Sequence, residues 1–101
     1  MPDVNGFSSA DYKVTGGKLL RVRLRTVPDA QGEPCIAAVS ITGDFFMHPE
    51  EALEALEAAL PGVPLRADVL RERIAPFFAG EVQVIGADVE DFVQLLLAAK
   101  P

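Results

Sequence analysis

Hydrophobic and polar residues alternate most clearly between positions 20 and 25. Leu20, Val22 and Leu24 fall on one side of an extended chain, and Arg21, Arg23 and Arg25 fall on the other. A period of two over six residues predicts a half-buried β-strand, with its arginines facing away from the core. A second extended segment is predicted over Cys35–Thr42, CIAAVSIT, which is rich in β-branched residues and closed by Gly43. The stretch between them, VPDAQGEP over 27–34, holds two prolines and a glycine and reads as a loop, so the two strands should pair antiparallel. Upstream, Tyr12-Lys13-Val14 precedes Gly16-Gly17, a hairpin-turn signal. Residues 1–11 show no periodicity and are expected to form a flexible tail, leaving 12–101 as a single domain.

From position 49 the period changes. Pro49 suits the first helical position, which places His48 at the N-cap and Glu51 where its carboxylate can bond back across the first turn. Ala52, Leu53, Leu56, Ala59 and Leu60 form one apolar stripe, and Pro61-Gly62 ends it. A second helix is expected from about Ala67, with Val69, Leu70, Ile74, Phe77 and Phe78 inward. Pro76 should kink or end it, because the ring would clash with the Glu72 carbonyl. Asp88 and Asp91 predict a capped third helix with Phe92, Val93, Leu96 and Leu97 on the core side. Strands grouped ahead of helices give an α+β class: a small antiparallel sheet of two to three strands with three helices packed on one face.

Composition narrows the functions open to such a chain. Its 101 residues support one core, and no apolar run nears the roughly 20 residues that span a bilayer. The start, MPDVNGFSSAD, lacks the basic and apolar segments of a secretion signal. One cysteine, Cys35, allows no internal disulfide and suits a cytoplasmic setting. A net charge of -6 disfavours nucleic acid as a partner. That average hides a division. Lys13, Lys18, Arg21, Arg23 and Arg25 form a segment with no acidic residue, whereas Asp44, Glu50, Glu51, Glu54 and Glu57 form one with no lysine or arginine.

Candidate chemistry is sparse. One histidine and one cysteine are too few for a metal site, and there is no phosphate-cradling glycine motif. Cys35 fits a small buried hydrophobe, or else a sulfur-accepting thiol if it is exposed with a depressed pKa. The arginine stripe is either a solvated outer face or a surface for a partner, since the guanidinium fork suits carboxylates and phosphates. In Phe45-Phe46, alternation sends one ring to the core and the other outward, where an aromatic side chain can anchor a partner.

Several of these segments resemble the accessory domain of lipoate–protein ligases. Lys13-Val14-Thr15-Gly16-Gly17-Lys18-Leu19 is similar to that family's K-x-P-G-G-K-L opening, with Thr15 in place of proline. Ile41-Thr42-Gly43-Asp44-Phe45-Phe46-Met47-His48-Pro49-Glu50 resembles its I-x-G-D-F-F-x-x-P-E segment. Ile85-Gly86 and Asp88-Val89-Glu90-Asp91-Phe92 resemble its last helix, and Pro76 interrupts a helix that is normally continuous. The likeness implies a fold similar to the SufE/NifU-type sulfur-acceptor and iron–sulfur scaffold proteins. It also implies a non-catalytic subunit that forms a heterodimer with a lipoate–protein ligase catalytic subunit and serves lipoyl-acceptor proteins indirectly. ATP, magnesium and lipoate would then belong to the catalytic partner, with no cofactor bound by this chain alone and no membrane involved. The partner- or substrate-facing residues would be Lys13, Gly16, Gly17, Lys18, Arg21, Arg23, Arg25, Phe45 and Phe46, with His48, Pro49 and Glu51 as a structural cap. A sulfur-acceptor protein using Cys35, or a general interaction module, are the competing functions.

Overall fold

A computed structural model describes residues 6–14, 16, 18–80 and 82–100. Strands β1 (Phe7–Lys13), β2 (Leu19–Pro28) and β3 (Pro34–Gly43) form an antiparallel sheet in that order. In β2 the alternation is complete: Leu20, Val22 and Leu24 are fully buried, and the three arginines are exposed. A bulge between Arg25 and Thr26 leaves Ala37 unmatched on β3. Helices α1 (Glu51–Ala59), α2 (Ala67–Ile74) and α3 (Val89–Ala98) supply the other layer, and Leu56, Leu70, Ile74, Phe92, Val93, Leu95 and Leu96 are buried there. This is the α+β arrangement anticipated from the pattern, with helices covering one face of the sheet.

The helix ends follow local chemistry in two of three cases. α2 stops at Ile74 and tightens into a 3₁₀ turn over Ala75–Phe78, as expected of a proline at position 76. α3 opens with a reciprocal capping box: the Asp91 N–H donates to Asp88 Oδ1 at 3.1 Å, and the Asp88 N–H donates to Asp91 Oδ2 at 2.9 Å.

The first helix departs from expectation. α1 begins at Glu51 after an N-cap at Glu50 that makes no side-chain cap bond. His48 is therefore not the cap, Pro49 is not the first helical residue, and Glu51 stands at N1 rather than N3. The reason lies upstream. Phe46–His48 is a strand, β4, paired antiparallel with β5 (Gln83–Ile85), so His48 is committed to a ladder opposite Gln83. A turn follows, in which Ala52 N–H meets the Pro49 carbonyl and Leu53 N–H meets that of Glu50. The small second sheet had no counterpart in the sequence pattern.

The N-terminal segment also differs. Residues 7–11, expected in a tail, belong to β1 and pair in register with Arg25 through Arg21. Residues 1–5 lie outside the described residues, as do Thr15 and Gly17 of the expected turn. The predicted 27–34 loop shortens to 29–33, where Asp29 Oδ1 accepts from the Gln31 and Glu33 N–H groups at 2.8 and 2.9 Å.

Candidate functional site

Three separated motifs meet at one corner of the molecule. The G-D-F-F segment leaves β3 at Gly43, whose φ is +143° and whose backbone lies against the start of β2. A Cβ there would collide with the Leu19 carbonyl and sit 2.9 Å from the Leu20 Cα, so only glycine fits. Asp44 then clasps the same residue: its N–H donates to the Leu19 carbonyl at 2.8 Å, and its carboxylate accepts from the Leu19 N–H at 3.4 Å. Gly86, with φ +100°, approaches from the other side, where a Cβ would lie 2.9 Å from the Asp44 carbonyl. The glycines of the 43–46 and 85–86 motifs thus allow two backbone segments far apart in sequence to touch.

What this packing presents is apolar. Phe45 turns inward and sets its ring edge-on to fully buried Phe92, with centroids 5.3 Å apart. Phe46 turns outward and is 76% exposed; Ile85, its partner across the β4–β5 ladder, is 67% exposed. Leu19, whose backbone the clasp holds, is also partly exposed. Beside them is a hollow of about 410 Å³ lined by Lys18, Gly43, Asp44, Phe45 and Phe46. A cation and an exposed aromatic therefore share one wall of the corner. The alternation in Phe45-Phe46 foretold this division; the exposure of Ile85 did not follow from any pattern and was missed.

The arginine face is chemically different. Asp11 lies opposite Arg21 across the β1–β2 ladder and takes its guanidinium in two bonds, Nε to Oδ1 at 2.7 Å and Nη2 to Oδ2 at 3.2 Å. The hydrogen bonding holds the Asp11 carboxyl below its usual range and raises the Arg21 pKa. Arg23 and Arg25 stand over the Phe7 ring, their guanidinium carbons 4.8 and 5.9 Å from its centroid. Each cation of the stripe thus meets a β1 side chain. Lys13, Gly16 and Lys18 are exposed at or near the β1–β2 turn, and Gly17 is outside the described residues.

Cys35 is buried at the start of β3, with its sulfur 4.0 Å from Asp29 Oδ2. Burial first, and then the Asp29 and Glu33 carboxylates, raise its pKa, whereas a sulfur acceptor needs the opposite. Cys35 is placed as a small buried hydrophobe. His48 is exposed on β4 opposite Gln83, and among the described residues no three His, Cys, Asp or Glu side chains group as a metal site would require.

No family model matches the chain. It is 35% identical over 88 residues to the lipoate-protein ligase A subunit 2 of Thermoplasma acidophilum, a span of 87% of this chain and 85% of that protein. A solved structure from a bipartite lipoate protein ligase and E2 lipoyl domain system of the same organism superposes with a TM-score of 0.69. The two chains are 33% identical, with 89% of this chain and 93% of that one covered. The α+β fold and the two likenesses together place the chain among the small subunits of two-part lipoate–protein ligases. The chain belongs to the lipoate–protein ligase small-subunit family.

Proposed function

We propose that this chain docks through the Phe46–Ile85 corner onto the catalytic subunit of a two-chain lipoate–protein ligase. There it supports the ATP-dependent activation of lipoate to lipoyl-adenylate. The observation that carries this reading is the convergence of the family-like motifs on one exposed apolar surface. Two large apolar side chains held in water by a three-residue ladder bring little to the isolated fold, and they suit a partner's pocket. Likeness to a ligase subunit 2 and to a chain of a bipartite ligase system supports the same role.

In this role ATP, magnesium, lipoate and the reacting groups belong to the catalytic subunit, and the accessory chain acts on closure. An acyl-adenylate is prone to hydrolysis, so a subunit that holds substrate loops shut and excludes water favours transfer to the acceptor lysine. Lys18, at the rim of the corner, would meet an acidic group of the partner.

The test is pyrophosphate release by the catalytic subunit with lipoate, ATP and magnesium. Adding this chain is expected to raise the rate at least tenfold, a fraction of what closure of an active site can supply. A catalytic subunit equally active without it would overturn the accessory role.

A further inference from the structure

Strand β3 is a sheet edge whose two halves are finished differently. Over the first half the α1–α2 connection closes it. The Ile36 N–H donates to the Val63 carbonyl at 2.9 Å, the Gly62 N–H to the Ile36 carbonyl at 2.7 Å, and the Leu65 N–H to that of Pro34 at 3.1 Å. Beyond Ile36 the backbone is treated otherwise. The Asp44 N–H faces β2, bonded to Leu19, while the Ile41 N–H turns away and donates to Glu57 Oε2 at 2.8 Å. Alternation then directs the backbone groups of Val39, Ile41 and Gly43 outward. Among the described residues no other backbone group pairs with them.

A cleft of about 570 Å³ runs beside this open half, between β3 and α1. Phe45, Phe46 and Leu53 give it an apolar lining, and Glu50, Glu54 and Glu57 give it negative charge. Among the described residues no lysine or arginine lines it. An unpaired edge with outward N–H and C=O groups is a template for an added strand, and alternate side chains of that strand would meet the cleft walls.

Granting the accessory role proposed above, we infer that this half-edge receives a short, extended, basic segment of the catalytic subunit as a fourth strand. Its backbone pairs with Val39–Gly43, its apolar side chain lies over Phe45 and Leu53, and its lysines or arginines reach Glu50 and Glu54. The Glu57 carboxylate holds the place of the incoming carbonyl at the Ile41 amide and, once displaced, meets a basic side chain of the same segment. Charge complementarity selects a basic occupant. Phe46 lines both the docking corner and the cleft, so a chain that covers the corner continues into the groove.

Amide exchange of this chain, alone and with the catalytic subunit, tests the inference. Complex formation should slow exchange at Val39 and Gly43 by at least tenfold. The double substitution Glu50→Lys/Glu54→Lys should remove that protection and weaken binding at least tenfold. The neutral pair Glu50→Gln/Glu54→Gln, which puts no reversed charge at the start of α1, should give an intermediate loss. A complex that forms with unchanged exchange at 39–43 and unchanged affinity for both variants would overturn the fourth strand while leaving the accessory role standing. A wild-type chain that does not bind the catalytic subunit would overturn both.

Discussion

The arginine face of the sheet and the Phe46–Ile85 corner are both exposed, yet they are exposed for opposite reasons. On the sheet face, Arg21 is held by Asp11, and Arg23 and Arg25 lie over Phe7, so β1 already offers each cation a partner. At the corner, Phe46 and Ile85 stand in water on a ladder fixed from beneath by Gly43, Gly86 and the Asp44–Leu19 clasp. Charge draws the eye in a sequence, but exposed ion pairs contribute little and are screened by salt. An exposed aromatic on a rigid support can contribute far more when a partner covers it.

The largest effect should come from the corner. Phe46→Asp with Ile85→Asp is expected to weaken association with the catalytic subunit on the order of 100-fold by calorimetry. Its melting temperature should barely change, because both side chains are already solvated. Next comes the support. Gly86→Ala forces a Cβ toward the Asp44 carbonyl at a positive φ and should destabilise the chain by about 1–3 kcal/mol in urea unfolding. It should weaken association as the corner loosens.

A smaller effect is expected on the arginine face. Arg21→Glu with Arg23→Glu should reduce affinity less than about tenfold, with the loss fading in high salt. A loss as large as that of the corner variant would move the interface to the sheet. The smallest effect concerns Asp11 itself. Its pKa is lowered when folded, so its contribution is present above the unfolded value and disappears as pH falls through the folded one. Asp11→Asn should flatten the acid side of the melting-temperature profile slightly, and Glu90, held by Arg71, should leave part of that slope in place.

Where physics is local, the chain was legible. The Leu20–Arg25 alternation announced β2, Asp88 and Asp91 announced the capping box, and Pro76 announced the end of α2. β1 was not legible, because its inward positions are Ser8, Ala10 and Tyr12, which make no apolar period. Its contribution to the arginine face, through Asp11 and Phe7, was hidden with it. β4 and β5 are three residues each and too short for a period-two signal, and their pairing joins segments far apart in sequence. The same pairing explains why Pro49 followed by two glutamates looked like a helix start two residues early. Half of the corner was thus readable in Phe46, while Ile85 needed the fold.

Hydroxyl-radical footprinting of the chain, free and bound to the catalytic subunit, tests the docking claim most directly, because Phe46 and Phe7 report the two surfaces separately. Binding through the corner predicts that oxidation of Phe46 falls several-fold in the complex while that of Phe7 is unchanged. Protection of Phe7 with Phe46 still fully reactive would contradict it.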